Sequence, residues 1–511
     1  MTTSRMDLPV VVDRDAASPL AAQISEQVRV AVTAGLLGSG ERLPSTRDLA
    51  AVLGVSRTVV TTAYAQLFAE GWLEGRHGSG TYVADVAPEL PPAHAAARGA
   101  GREVSYQAAL GAAASAIGPA ARVGGAGGAD GAGDGADDVD GATAADVIEL
   151  LPGIPWAGGV EPAVWRRAWR SAGTYQPSSW PDPHGLPGLR AELAGYLRRS
   201  RGLRITPAHV LVTRGVAGGL TLLTAALVRP GDKVGLEEPG YPAAREVLCR
   251  AGARVVPCRV DAHGIMPDEL PGDLRLLYTT PAHQYPLGGR LPVGRRQALT
   301  AWARATGAIV VEDDYDSEFR YDVGPLPALY SMDPGVIVYL GTASKTLTPA
   351  FGAGWLVAAP DLVERLARLR IGLGERVAEP VQHALLAMLA SGDLERHVRR
   401  MRLEYARRRA ALVGGLGAAS GGGHDHAAPG EFRLLGDTAG MHVVLELPAD
   451  RQPDQVVAAA AARGVTIATL DRYFAGTPTL NGVILGYGAT PLTKVSRAAA
   501  ELRAVLRSAN V

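Results

Sequence analysis

The chain has 511 residues, of which 47% are hydrophobic and 20% charged, and its 51 Lys and Arg residues balance 51 Asp and Glu residues. At roughly 100–200 residues per domain, this length predicts about three domains. A net charge of zero excludes a basic surface over the whole chain, so any contact with nucleic acid must be local. No apolar run reaches the about 18 residues of a membrane-spanning helix, so we expect no membrane partner. With no secretory signal pattern and only Cys249 and Cys258, the sequence favours a cytoplasmic protein without a metal site.

Three zones follow one another along the chain. Residues 1–84 have the composition of an ordinary globular domain. Residues 85–147 are dominated by Ala, Gly, Pro and Asp, with little apolar bulk to bury, and predict a flexible, disordered linker. Residues 148–511 return to alternating apolar and polar patterns and are long enough for a large core.

The first zone has a helix-turn-helix pattern. Apolar residues recur at helical spacing in residues 19–34, at Leu20, Ile24, Val28 and Val32. Ser45 and Ser56 can cap two further helices, with Gly54 in the turn between them. Their expected inward residues are Leu49, Val52 and Leu53, then Val59, Val60, Ala63 and Leu67. Residues 71–83 read as two short strands around a Gly-rich tip, which is a wing. In this layout the second helix of the pair enters the major groove of DNA.

Three motifs in this zone, LPSTRDLA, GVSRTVV and GWLEGRHGSGTYV, occur in order. Through them residues 19–84 closely resemble the GntR-type winged helix-turn-helix. The resemblance implies a phosphate contact by Arg47, a recognition helix whose first residues face DNA, and a wing that reaches the minor groove. The implied DNA-binding residues are Arg47, Ser56, Arg57, Thr58, Thr61, His77 and Gly78. Residues 1–84 contain seven Arg, no Lys and eight acidic residues, so we expect weak non-specific affinity.

The third zone alternates predicted strands and helices. The predicted strands are HVLVT (209–213), KVGLEE (233–238), ARVVPCRV (253–260), LRLLYTT (274–280), AIVVEDD (308–314) and VIVYLGTAS (336–344). Predicted helices cover residues 216–228 and 294–306. This alternation predicts an α/β fold with a mainly parallel sheet covered by helices on both faces. In such sheets ligands bind beyond the carboxyl ends of the strands.

Lys345 is one of only three lysines and follows a predicted strand in a Gly/Ser/Thr loop. A lone lysine in such a loop is usually a surface residue, but Asp313 and Tyr315 lie at the end of another strand. A carboxylate can keep a pyridinium nitrogen protonated, a phenol can hydrogen-bond a ring oxygen, and a lysine can form a Schiff base with an aldehyde. These three side chains are the protein groups that pyridoxal 5'-phosphate requires.

Six motifs in order carry a second resemblance: SSWPDPHGLPGLRAELAGYLRRSRGL (178–203), VTRG (212–215), EEPGYPAAR (237–245), TPAHQYPLGG (280–289), VVEDDYDSEFRYD (310–322) and GTASKTL (341–347). Through them residues 150–511 resemble fold-type-I aminotransferases. The whole chain resembles the MocR/PdxR group, in which a GntR-type domain is fused to an aminotransferase-like domain.

The second resemblance implies a role for each matching residue. Lys345 would form the Schiff base, Asp313 would pair with the ring nitrogen and Tyr315 with the phenolic oxygen. The other implied cofactor residues are Tyr241 stacked on the ring, Gly215 and Val216 in the turn at the phosphate, and His283 and Gln284 near the ring. Arg472 stands where such proteins hold a substrate carboxylate, although a structural role for this arginine is an equal alternative.

The phosphate side departs from the family pattern. Gly352 stands where the family has a phosphate-clamping arginine, and Trp180 replaces a tyrosine. Val216 and Ala217 replace polar residues of the phosphate turn. Three readings stay open: Arg214 compensates, the cofactor binds weakly, or the ligand is an aldehyde without a phosphate. The pair Glu237–Glu238 reads as scaffold for the PGY turn rather than as an acid/base pair.

The sequence therefore predicts a DNA-binding transcription regulator. Its aminotransferase-like domain would bind pyridoxal phosphate, or a related aldehyde or amino effector, and control binding to an operator in double-stranded DNA. Two alternatives remain, an active aminotransferase and a regulator whose degenerate domain binds no cofactor. The GntR-like zone disfavours the former, and the set of Lys345, Asp313 and Tyr315 disfavours the latter. The resemblance also implies a homodimer.

Overall fold

The computed structural model describes residues 8, 10–16, 18–76, 80–86, 147–417, 432–436 and 438–508. The predicted linker, residues 85–147, lies almost wholly outside the described residues, and so do the predicted wing residues His77 and Gly78. The proposed division into residues 1–84, 85–147 and 148–511 stays a prediction. None of the described helices is long and apolar enough to cross a membrane.

The N-terminal unit is a winged helix. Its elements are α1 (Leu20–Thr33), α2 (Thr46–Leu53), α3 (Arg57–Glu70), β1 (Leu73–Arg76) and β2 (Gly80–Val83), the two strands being antiparallel. The hydroxyls of Ser45 and Ser56 accept hydrogen bonds from backbone amides of α2 and α3, as the sequence predicts, and Gly54 turns between them at φ +63°. The prediction for Val52 is wrong. This side chain is 64% exposed, because Leu49, Ala50 and Leu53 already occupy the inward side of the two-turn helix α2.

The second unit opens with β3 (Ile148–Glu149), α4 (Pro162–Ala172) and α5 (Pro187–Arg201). An eight-stranded sheet follows, with helices between its strands. Its elements in chain order are β4 (Val210–Thr213), α6 (Gly215–Leu227), β5 (Lys233–Glu238), α7 (Pro242–Arg250), β6 (Arg254–Asp261), β7 (Gly264–Ile265), β8 (Leu276–Thr279), α8 (Val293–Thr306), β9 (Ile309–Asp314), β10 (Ile337–Thr342) and β11 (Gly354–Val357).

The strand order in this sheet is β4-β11-β10-β9-β8-β5-β6-β7. The central pairs β10–β9, β9–β8, β8–β5 and β5–β6 are parallel, whereas β11 and β7 pair antiparallel with their neighbours. The prediction of a mainly parallel sheet is therefore confirmed. Both faces are buried: in β4, Val210 and Val212 join one core cluster, whereas Leu211 joins the other.

The remaining elements form a smaller layer beside the large sheet. They are α9 (Pro360–Leu373), α10 (Glu379–Ala390), α11 (Asp393–Leu416), β12 (Arg433–Leu435), β13 (His442–Glu446), α12 (Pro453–Ala461), β14 (Val465–Thr466), β15 (Ala468–Thr469), β16 (Gly482–Gly486) and α13 (Leu492–Arg507). Strands β12, β13, β16 and β15 form an antiparallel sheet, and β14 pairs in parallel with β3. The fold thus brings Lys345, which follows β10, close to Gly153 near the start of the second unit. The smaller layer contributes His442, whose ring lies beside that of His283.

Candidate functional site

Two neighbouring parallel strands place Asp313 and Lys345 at the same edge of the sheet. Asp313 on β9 lies opposite Leu340 on β10, and Lys345 follows the end of β10 by three residues. The Lys345 amine donates a hydrogen bond to the Gly153 carbonyl at 2.5 Å. Burial lowers the pKa of Lys345, and the nearby carboxylates of Asp316 and Asp313 oppose that shift. The lowered pKa makes the neutral amine, which is the nucleophilic form, more accessible than in a free lysine.

Asp313 has a buried carboxyl group, and one of its two oxygens accepts no hydrogen bond from the described residues. Burial raises its pKa to about 7, while a hydrogen bond from the Tyr278 hydroxyl to Oδ2 and the Lys345 charge lower it. Oδ1 is also buried, and no group in the described part of the chain hydrogen-bonds to it. A buried acceptor without a donor costs about 1–3 kcal/mol. A protonated ring nitrogen would satisfy Oδ1, so this residue fits the pyridinium end of pyridoxal phosphate.

Tyr315 belongs to a hydrogen-bonded group on the same edge. Its hydroxyl lies 2.9 Å from Nδ1 of His283, which in turn lies 3.0 Å and 3.2 Å from the two carboxylate oxygens of Asp316. The ring of His442 stands 5.3 Å from that of His283, and burial lowers the pKa of His442 to about 4. The structure therefore brings Tyr315 and His283 together, and Asp316 contacts His283.

An aromatic wall borders these residues. Tyr241, at the start of α7, packs edge-on against Tyr285 with a centroid separation of 5.7 Å, and Tyr285 packs against Tyr473 at 5.4 Å. The hydroxyls of Tyr285 and Tyr473 are 3.3 Å apart. Sequence reasoning missed Tyr285 and Tyr473, although both adjoin residues that it selected, Gln284 and Arg472.

Both polar atoms of the Gln284 side chain form hydrogen bonds within the protein. Its side-chain nitrogen donates to the carbonyls of Pro239 and Tyr285 at 2.9 Å each and to Glu237 at 3.2 Å, and its oxygen accepts from the Leu287 amide at 3.0 Å. The resemblance implied that Gln284 lines the pocket near the ring. Its polar atoms are engaged in these contacts, and its place near the ring stays a prediction.

The two glutamates at the end of β5 also hold loops. The buried Glu237 accepts hydrogen bonds from the hydroxyls of Thr279 and Thr280 and from the Thr280 amide. Glu238 accepts from the Ala475 amide at 2.6 Å. These contacts hold the segments at Thr279, Thr280 and Ala475, and the role of the pair as scaffold for the PGY turn stays a prediction.

The N-terminus of α6 marks the opposite end of the site. Gly215 begins this helix at φ +66°, and a Cβ there would lie 3.7 Å from the Thr342 hydroxyl and 4.0 Å from the Ser344 hydroxyl. The first amides of a helix attract anions. The start of α6 at Gly215 and Val216 therefore meets two hydroxyls that sequence reasoning missed, although both lie in the GTASKTL motif.

The space around Gly352 is open. Gly352 adopts φ +59°, and no atom of the described residues lies within 4 Å of the position that a Cβ would take. Arg214 precedes α6 with an exposed side chain. Arg472 is likewise exposed, with its guanidinium 5.8 Å from the ring centre of Tyr473, at the rim of the aromatic wall.

The predicted DNA-binding residues that the structure describes are all exposed on the winged helix. Exposed side chains at and after the start of α3 are Ser56, Arg57, Thr58 and Thr61, and Arg47 is exposed on α2. Arg57 donates from Nε to the Thr46 hydroxyl at 3.3 Å. At the base of the wing, the Arg42 guanidinium lies 3.1 Å from the Cβ position of Gly80, and Arg76 lies 4.6 Å from the Tyr82 ring. Sequence reasoning missed both of these wing arginines.

A winged helix joined to an aminotransferase fold defines a DNA-binding regulator with an enzyme-derived domain. Residues 20–83 match the model described as bacterial regulatory proteins, gntR family, and residues 161–471 match aminotransferase class I and II. The fold neighbours include an archaeal alanine:glyoxylate aminotransferase, with a TM-score of 0.64 at 24% identity over 71% of this chain and 91% of that chain.

Two curated relatives span almost the whole protein. The chain is 36% identical to the HTH-type pyridoxine biosynthesis transcriptional regulator PdxR of Corynebacterium glutamicum, over 94% of this chain and 95% of that protein. It is 34% identical to the probable rhizopine catabolism regulatory protein MocR of Rhizobium meliloti, over 95% of this chain and 93% of that protein. The chain therefore belongs to the MocR/PdxR group of GntR-family transcription regulators.

Proposed function

We propose that the aminotransferase-like domain binds pyridoxal phosphate through a Schiff base to Lys345, and that its occupancy controls binding of the N-terminal domain to operator DNA. The observation that carries this proposal is the buried, unpaired Oδ1 of Asp313 on the strand next to Lys345. When bound, pyridoxal phosphate supplies an aldehyde that condenses with primary amines. The relative named as a regulator of pyridoxine biosynthesis supports a ligand of this chemical class.

The residues of this chain have separate tasks in the proposal. Asp313 keeps the ring nitrogen protonated, and the buried Lys345 amine is held toward its neutral form. Asp316 orients His283, which positions the Tyr315 hydroxyl for the phenolic oxygen. Tyr241 supplies an apolar surface for the ring.

The phosphate would lie at the start of α6, where backbone amides and the hydroxyls of Thr342 and Ser344 come together. With Gly352 in place of a clamping arginine, we expect weaker binding than an arginine would provide. The proposed effector is an amino or aldehyde compound that reaches Lys345. Arg472, exposed at the rim, would pair with its carboxylate.

We further propose that the protein acts as a homodimer on paired half-sites. Trp180 is 91% exposed in the single chain, and Ile371 and Leu373 on α9 are also exposed apolar residues. Tryptophan is enriched in protein–protein interfaces relative to the rest of the surface. In the DNA complex, Arg57 would read a base edge, Arg47 would contact phosphate, and Ser56, Thr58 and Thr61 would line the groove.

Absorbance spectroscopy and operator binding test the proposal together. Purified protein with pyridoxal phosphate should show a visible band, and borohydride should fix the label on Lys345. Lys345→Ala should lose the band and the effect of ligand on operator affinity, yet retain DNA binding. Lys233→Ala, which removes an exposed lysine paired with Asp273, is the matched control. Absence of the band at saturating cofactor would favour the degenerate-domain alternative, and turnover of amino donors with a keto acid would favour an active aminotransferase.

A further inference from the structure

The winged helix rests on two loops of the aminotransferase-like domain. Gly71, just after α3, has φ +84°, and a Cβ there would lie 2.9 Å from Pro292 Cβ and 3.2 Å from the Val293 amide nitrogen. Val293 is only 4% exposed, because it completes the core of the winged helix. Only a residue without a side chain allows this approach. The end of α3 therefore packs directly on residues 291–294.

A second loop of the same domain contributes to this contact. The side-chain oxygen of Gln66, on α3, lies 3.3 Å from the Cβ position of Gly324. The Asp85 carbonyl lies 3.5 Å from the Cβ position of Gly294. We define residues 291–294 and 324–327 as the docking seat. Its glycines allow close approach of the winged helix at both loops.

A buried arginine joins both loops of the docking seat to the loop of His283. Arg296 donates to the carbonyls of Leu291 and Pro327 at 2.8 Å each and to that of Pro281 at 3.3 Å. Pro281 precedes His283 by two residues, and its carbonyl also accepts from the Leu291 amide at 2.9 Å. A shift of the His283 loop would thus be transmitted to both parts of the docking seat.

A second buried arginine connects the docking seat to β9. Arg201 Nε lies 2.6 Å from Oδ2 of Asp314, and Arg201 Nη1 donates to the Leu326 carbonyl at 2.8 Å. Asp314 follows Asp313, and consecutive strand residues point to opposite faces. Asp313 therefore faces the cofactor site. Asp314 points to the opposite face of β9, where it contacts the docking seat through Arg201.

We propose that the docking seat binds the DNA-binding domain of this protein and couples occupancy of the cofactor site to the orientation of α3. Helix α3 begins at Arg57 and carries Gln66 near its other end, directly before Gly71, and its 14 residues span about 21 Å as a rigid rod. Movement of the docking seat therefore moves the end that faces DNA. The ligand-dependent part of this inference rests on the proposed function. A ligand shifts the equilibrium only through different affinities for the two seat positions.

Cross-linking in the full-length chain tests the contact without any ligand. We expect Gln66→Cys with Gly324→Cys, in a Cys249→Ser background, to be joined by a short bismaleimide cross-linker, because the Gln66 side-chain oxygen lies 3.3 Å from the Cβ position of Gly324. The matched control pairs Gln66→Cys with Gly272→Cys, where a Cβ has no other described residue within 4 Å. Gly272 precedes Asp273, which pairs with Lys233 at the start of β5. The seat pair should form several-fold more cross-linked product than the control pair. Cross-links within one chain or between two chains both support the docking seat, and equal yields in both pairs would overturn it.

The coupling is tested by filling the docking seat. Gly324→Arg should remove the effect of pyridoxal phosphate on operator affinity while the visible band and binding to the operator remain. Gly272→Arg should behave as wild type. A full ligand response in Gly324→Arg would overturn the coupling. Failure of the wild type to form the band would instead refute the proposed function, and the cross-linking result would still decide the contact.

Discussion

Asp313 and Lys345 oppose each other's pKa shifts across two neighbouring strands. Burial raises the pKa of Asp313 to about 7 and lowers that of Lys345, and the attraction between their charges works against both shifts. The carboxyl is thus near its midpoint at neutral pH when no cation occupies Oδ1. A cationic ring nitrogen at Oδ1 would stabilise the carboxylate, so ligand binding and protonation of Asp313 are linked.

The first prediction concerns stability of the protein without ligand. The folded-state pKa of Asp313 exceeds the unfolded value of about 3.9, so the unfolded chain ionises first as pH rises. Stability should therefore fall between about pH 4 and pH 7 and level off above. Asp313→Asn keeps an acceptor for Tyr278 and removes this loss. The difference between the Tm of Asp313→Asn and the Tm of the wild type should therefore be more positive at pH 8 than at pH 5.

The comparison with wild type is essential because Glu318 is another buried carboxyl whose pKa is about 7. Both proteins contain Glu318, so its contribution cancels in the difference. A Tm difference that is the same at pH 5 and pH 8 would contradict the assignment of Asp313 as the titrating group.

The second prediction concerns the altered phosphate side. Gly352→Arg should strengthen binding of pyridoxal phosphate because an arginine adds charged hydrogen bonds worth about 1.5–3 kcal/mol, or roughly ten- to a hundred-fold. Gly352 has φ +59°, a conformation that costs any other residue roughly 1–2 kcal/mol. Gly352→Ala carries the same backbone strain without the guanidinium and is the control. Equal affinities of the two variants in spectroscopic titration would show that the phosphate lies elsewhere.

Local patterns predicted the parts of this molecule that depend on short stretches of sequence. Strand β5 has the predicted bounds, residues 233–238, because a buried strand carries a compact apolar run between turn residues. Asp313 and Lys345 were identified because each follows or ends a strand and has a chemistry that few other roles require. Parallel pairing of β9 with β10 then brings them together.

The remainder depends on contacts between distant segments. His442 and Tyr473 reach the site from the smaller layer, and no local pattern relates them to β9. The hydrogen-bond partners of Gln284 include Glu237 and Pro239, more than forty residues earlier in the chain. The exposure of Val52 depends on which side of the short helix α2 meets the core. Such outcomes are set by tertiary packing rather than by periodicity.

The third prediction concerns assembly. Trp180→Ala should weaken the dimer, because a buried Trp accounts for about 150–250 Å² of interface. Because the side chain is exposed in the single chain, its removal should leave the Tm of the monomer unchanged. Light scattering across a dilution series measures the effect, with Leu403→Ala, an exposed apolar residue on α11, as control. A wild-type protein that is monomeric at micromolar concentration would refute the proposed homodimer.

The fourth prediction separates base reading from phosphate contact in the winged helix. Arg57→Ala should lower affinity for the operator by about 1–3 kcal/mol and leave binding to unrelated DNA nearly unchanged, because a bidentate contact with a base carries specificity. Arg47→Ala should weaken binding to all sequences and lower the slope of log affinity against log salt by about one. Arg399→Ala, an exposed arginine on α11, is the control for loss of positive charge. Fluorescence anisotropy at several salt concentrations distinguishes these outcomes. Unchanged operator binding in both variants would mean that α3 is not the helix that reads DNA.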